Sequence, residues 1–160
     1  MKEKYFLAID PGTEKSGWVL FDENLKPRSF GKDDNELLKK MFDEIEIEAA
    51  VIERVSAYGS RVGQSVFTTC EWIGRFTEAL TVPVYHMRRK DVKTRLGLSQ
   101  RAADGDIRKY LIRRFARSNE NYGKGNRKNP DWFYGFFADV WQAYALGVAW
   151  ADCMRVEHAG

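Results

Sequence analysis

Apolar and polar positions change period along the chain, and the elements follow from that change. Phe6–Ile9 is an apolar run ending on Asp10; Pro11 and Gly12 turn the chain, and the apolar run Trp18–Phe21 returns. This predicts a β-hairpin whose first strand stops at Pro11, which has no N–H to give a ladder. Pro27–Gly31 predicts a third short strand. Leu37, Leu38, Met41, Phe42 and Ile45 then recur at helical spacing, predicting a helix over Asn35–Ile45 with Asn35 as its N-cap. Ala49–Ile52, ending on Glu53, predicts a buried strand, and Val82–Tyr85 another. Ser65–Leu80, Lys90–Leu96, Asp104–Arg117 and Asp139–Met154 predict helices, and Ser118–Tyr134 a polar loop. Strands joined by short turns run antiparallel and strands joined through helices run parallel. The expectation is an α/β chain with a mixed five-stranded sheet flanked by helices, folding as one domain over residues 1–160.

Composition narrows the class. Hydrophobic residues make up 44% of the chain, too many for a disordered one. No apolar stretch reaches membrane-spanning length and no signal pattern opens the chain, so a cytoplasmic protein is expected, with no membrane partner. Cys70 and Cys153 fall in predicted helices with no pairing pattern and are expected as buried thiols. His86 and His158 are far apart, which argues against His–Cys zinc chemistry and a Ser–His–Asp triad. Net charge is only +3, but basic residues dominate from Arg88 to Lys128 while Asp33–Glu48 is acidic. A basic half on a nearly neutral chain suggests a face that meets a polyanion; an ordinary solvated surface is the alternative.

Three acidic residues stand where strands end or a helix begins. Asp10 ends the first strand, Glu53 the fourth, and Asp139 heads the last helix, whose Ala143, Ala145, Gly147, Ala149 and Ala151 are small enough to lie close on a sheet. Singly, each has an ordinary reading: a turn cap, a strand-end surface residue, a helix N-terminal charge. If they converge with no basic partner, a divalent cation is the natural way to relieve their repulsion. Mg²⁺ takes oxygen ligands, and two ions roughly 3.5–4 Å apart are a standard arrangement for phosphodiester cleavage.

The stretches AIDPGTEKSGW, VIERVSAYGSRVGQSVFTTCEWIGRF, DGDIRKYLIRRF and FYGFFADVWQAYALGVAWAD resemble the RuvC group of Holliday junction resolvases, especially its shorter bacteriophage and prophage members. The resemblance spans residues 5–152. It implies an RNase H-like fold and a homodimer that cuts four-way DNA junctions with Mg²⁺, for which Mn²⁺ can substitute. By motif, the resemblance implies that Asp10, Glu53 and Asp139 are catalytic metal ligands of two ions, with no nucleotide cofactor; a phage-encoded protein of this kind would work in the cytoplasm of a bacterial host. Bacterial members carry a second aspartate three residues into the last helix, where this chain has Gln142. Asp104 matches a position that is lysine in bacterial relatives and aspartate in phage ones, so it is the candidate for a fourth catalytic carboxylate, against an ordinary helix cap.

Lys109, Arg113 and Arg117 make an i, i+4, i+8 stripe, and Lys124, Arg127 and Lys128 add charge in the following loop, between Tyr122 and Trp132. Such groups neutralise phosphates and stack on unpaired bases. The resemblance adds Lys93 near the scissile phosphate and the loop Tyr58–Gln64, with Tyr58 as a wedge between bases and Arg61 beside it. It also places the dimer contact on Ser65–Leu80, with Trp72 and Phe76 as the positions whose change to Glu should give folded monomers. Two other readings remain open. One is a flap, fork or RNA-directed nuclease of the same fold; the other is a junction-binding protein weakened catalytically by Gln142. An actin-like or sugar-kinase ATPase would need a second domain that 160 residues cannot supply.

Overall fold

The computed structural model describes residues 2–56 and 61–159, with side chains through residue 156. Five strands form one sheet in the order β3-β2-β1-β4-β5. They are β1 (Tyr5–Asp10), β2 (Lys15–Asp22), β3 (Pro27–Asp34), β4 (Ala49–Arg54) and β5 (Val84–Arg88). β1–β2 and β2–β3 pair antiparallel, β1–β4 and β4–β5 parallel. This is the mixed sheet expected from the connection lengths. The helices are α1 (Asn35–Met41), α2 (Gln64–Ala79), α3 (Arg89–Arg95), α4 (Asp104–Phe115) and α5 (Val140–Ala159).

The period-2 alternation of β1 and β4 divides the core in two. Leu7, Ile9, Ala50 and Ile52 face a small cluster with Leu38, Phe42 and Phe76 of the α1–α2 side. Ala8 and Val51 face the larger cluster, dominated by α5. α5 lies hard against the sheet. A Cβ at Gly147 would fall 2.7 Å from the Phe21 ring and 3.2 Å from the Ala8 side chain. The small residues of this helix therefore permit close approach, as their spacing suggested.

Several local expectations are corrected. Asn35 does not cap α1: the Asp34 carboxylate does, accepting from the Glu36 N–H at 2.9 Å, and Asn35 is buried instead. α1 ends at Met41, and Leu37 faces solvent. β3 runs on to Asp34, and β5 starts two residues late and reaches Arg88, so it delivers the chain straight into α3. The cysteines are not buried thiols: Cys70 is exposed and Cys153 half-buried. Phe76 is fully buried, edge-on to Phe42. Phe76→Glu would put a charge in the core and unfold the chain rather than release a monomer. Trp132 is also structural, stacked on Phe115, under Lys26 and donating its N–H to the Tyr144 hydroxyl at 3.0 Å.

Candidate active site

β1 and β4 are neighbours in register Ile9↔Ile52, so Asp10 and Glu53 are the next positions along and emerge at one sheet edge. By parity Asp10 shares a face with Ala8 and Glu53 with Val51, the face that α5 covers. Asp139 arrives there through Gly17, the partner of Asp10 across the β1–β2 ladder. A Cβ at 17 would lie 2.8 Å from the Asp139 Cβ and from its backbone carbonyl. Ala138, just before Asp139, holds a left-handed φ of 44°, a strained conformation for alanine that sets the direction in which α5 departs. Gly17→Ala is expected to push the head of α5 off the sheet. It should cost about 1–3 kcal/mol in chemical denaturation and about 10²-fold in any carboxylate-dependent rate.

The electrostatics are those of crowded acids. Burial first, then the charges of Glu53 and Asp139, push the Asp10 carboxyl up to about 8. Glu53 is also raised, mainly by burial, with Arg89 opposing. A hydrogen bond joins the two, raising Asp10 and lowering Glu53. Two basic side chains stand beside these acids. Lys32 on β3 holds the Asp139 carboxylate at 2.7 Å. Arg89, one residue beyond β5, lowers both Asp10 and Glu53 and forms an ion pair with Asp104. Sequence reasoning missed both cations. The register Glu53↔Met87 is what brings Arg89 to this edge, and it can be drawn only once β5 is known to reach Arg88.

A second missed feature is the brace under the Asp10 turn. The Gly12 N–H donates to Ser16 Oγ at 3.1 Å, Ser16 Oγ donates to Asn35 Oδ1 at 2.6 Å, and Asn35 Nδ2 donates to the Gly12 carbonyl at 2.9 Å. Ser16 and Asn35 are both buried, so this closed ring fixes the chain directly after Asp10.

The remaining predicted residues are dispersed. Gln142 is half-buried on α5, one turn beyond Asp139. Asp104 reaches the edge through Arg89. Lys93 donates to the Gln100 carbonyl at 3.2 Å in its own loop. Lys109, Arg113 and Arg117 line one surface groove with Tyr122. Arg127 and Lys128 are exposed at the tip of a small hairpin closed by a Gly125–Pro130 bridge, and Lys124 is half-buried below them. Arg61 is exposed; Tyr58 lies outside the described residues.

Among the described residues no group of three or more Asp, Glu, His or Cys side chains is arranged to hold a metal ion. The donor chemistry nonetheless fits one. Asp10, Glu53 and Asp139 offer only carboxylate oxygens and have excess negative charge, relieved here by Lys32 and Arg89. Those are the substitutions a hard divalent cation would reverse.

No family model matches the sequence, and no curated protein does. Solved structures do match. Thermus thermophilus RuvC, described as in complex with Holliday junction substrate, superposes with a TM-score of 0.66 over 96% of both chains, at 14% identity. A second Thermus thermophilus RuvC structure gives 0.67 at 15% identity, again over 96% of each. Nearly the whole chain therefore has the RNase H-like fold that these RuvC structures share.

Proposed function

We propose that this protein is a divalent-metal-dependent endonuclease that resolves Holliday junctions or related branched DNA by phosphodiester hydrolysis. The observation that carries the reading is the convergence of Asp10, Glu53 and Asp139 at one sheet edge, where burial and the neighbouring carboxylates push the Asp10 carboxyl well above its ordinary value. The structural match to a RuvC described in complex with Holliday junction substrate supports the substrate class.

Asp10, Glu53 and Asp139 would hold the metal, with Gln142 able to add a neutral oxygen. When bound, Mg²⁺ or Mn²⁺ supplies an activated water and charge stabilisation at the leaving 3′-oxygen. The chain's own groups do the rest. The Gly12–Ser16–Asn35 ring keeps Asp10 from swinging away. Lys32, which pairs with Asp139 in the metal-free chain, would be free to meet a phosphate oxygen if a cation took that carboxylate. Arg89 stands between Asp104 and the Asp10–Glu53 pair, where a guanidinium can turn from carboxylate to phosphate. Asp104 is thus a partner that holds Arg89, a role different from the fourth ligand considered from sequence.

A junction needs two nicks related by symmetry, which a two-fold dimer supplies. The proposed interface is α2, where Phe76 is buried but Phe67 is 55% exposed, Cys70 faces solvent and Gly74 has open space around it. With Phe76 excluded as a probe, Phe67→Glu is expected to leave the fold intact and to convert a dimer into a monomer by sedimentation. A wild-type chain that sediments as a monomer, free and on DNA, would favour a single-site flap nuclease. Cleavage of labelled four-way, three-way and flap substrates in Mg²⁺ and Mn²⁺ tests the reading itself: preference for the four-way junction is expected. Binding without cleavage would instead mean a junction-binding protein.

A further inference from the structure

The groove along the C-terminal half of α4 is built for something other than duplex backbone. Its floor is Ile112 and Ala116, and its walls carry Lys109, Arg113 and Arg117; the Arg117 guanidinium also donates to the Pro130 carbonyl at 2.8 Å and pairs with the Asp131 carboxylate at 3.6 Å, while Lys109 and Arg113 meet no lining carboxylate. Tyr122 stands at its rim, 68% exposed. The backbone there is strained: Asn121 and Tyr122 are consecutive non-glycine residues in the left-handed region, with φ of 49° and 58°. Such strain persists only where the surroundings impose it, and here they do. Gly123 packs against Ile112 and Ala116, where a Cβ would be 3.0–3.2 Å from their side chains. The Asn121 amide donates to the Gly125 carbonyl at 3.1 Å. The buried Asp131 carboxylate anchors the loop by accepting the N–H groups of Arg117, Ser118 and Trp132 at 2.7–3.1 Å. A rigid loop thus holds an aromatic ring in water beside three cations and an apolar floor.

We propose that this groove is a subsite for an unpaired nucleotide of single-stranded DNA, its base against Tyr122 and its flanking phosphates on Lys109, Arg113 and Arg117. The apolar floor suits a base or sugar, the cations suit phosphate, and an exposed ring can stack only on a base that is not already paired. α4 begins at Asp104, which pairs with Arg89 at the carboxylate edge. At 1.5 Å per residue the groove runs roughly 8 to 18 Å from that edge. This rests on the nucleic-acid reading above and refines it: the preferred substrate has an unpaired segment near the crossover, as a fork or an opened junction does.

The test is fluorescence-anisotropy titration of labelled oligo(dT), a duplex of equal length and a four-way junction, all in EDTA. Wild type should bind oligo(dT) more tightly than the duplex. Tyr122→Ala should weaken oligo(dT) binding about ten-fold or more while leaving duplex binding within two-fold, and Tyr122→Phe should restore it. Tyr122→Gly separates function from folding. Glycine accepts this φ without strain, so the variant should melt at a higher temperature and still lose oligo(dT). Equal oligo(dT) affinity in wild type and Tyr122→Ala would overturn the proposal. A Tyr122→Gly variant that melts lower would also overturn it, because Tyr122 would then be a structural residue. Junction binding that persists with no Tyr122 effect sinks only the subsite; no binding to any of the three DNAs sinks the nuclease reading as well.

Discussion

Asp10→Asn and Glu53→Gln are each expected to reduce strand cleavage by at least about 10³-fold, the loss of several kcal/mol of transition-state stabilisation. Binding of the same DNA in Ca²⁺ should be nearly unchanged. The two residues extend the pairing Ile9↔Ile52 and share the face that α5 covers with Asp139, so an amide at either position takes one charged oxygen from the set that a cation needs. The effect should be lopsided in a way that surface acids do not show. Asp106→Asn, which removes the charge but keeps an oxygen able to accept the Ala103 N–H at the start of α4, should cost less than about two-fold. Cleavage at wild-type rate by either active-site variant would remove these carboxylates from the chemistry.

The second large effect is on stability without metal. The Asp10 carboxyl stands above its ordinary 3.8, at about 8, so the folded chain binds a proton there that the unfolded chain has already lost. Between about pH 4 and pH 8 the native state therefore binds more protons than the unfolded state, and unfolding free energy falls as pH rises. The total is a few kcal/mol, at most about 6. The metal-free protein should melt lower at pH 8 than at pH 5, and Asp10→Asn should flatten that slope and raise the pH 8 midpoint. Mn²⁺ should stabilise the wild type more at pH 8 than at pH 5, because binding needs both carboxylates ionised. Thermal scans of both proteins with EDTA and with Mn²⁺ read all of this at once. A wild-type midpoint that rises across this range in EDTA would contradict the crowded-acid account.

The fold was legible because connection length sets strand direction, and the short turns around Pro11 and Asn24 contrast with the helical crossovers after β3 and β4. The placement of three acids at one sheet edge was legible too, since Asp10 and Glu53 end apolar runs and Asp139 precedes a helix of small residues. The neutralising partners were not. Lys32 lies on a strand that the alternation ended at Gly31, and Arg89 looked like one cation among many until β5 reached Arg88. Asn35 has the residue type of an N-cap but is displaced from that role by Asp34. Its tertiary bonds to Ser16 and Gly12 have no local signature. The burial of Phe76 and exposure of Phe67 on one helix likewise depend on how α2 leans on α1, which periodicity alone does not fix.

The most direct test of the account is a single-turnover assay of the wild-type protein on a four-way junction labelled on each strand in turn, run in EDTA, Ca²⁺, Mg²⁺ and Mn²⁺. The account predicts no product in EDTA or Ca²⁺, and in Mg²⁺ or Mn²⁺ nicks paired symmetrically across the junction, with none of this product from Asp10→Asn. Cleavage in EDTA, or intact junctions under every cation despite demonstrated binding, would contradict it.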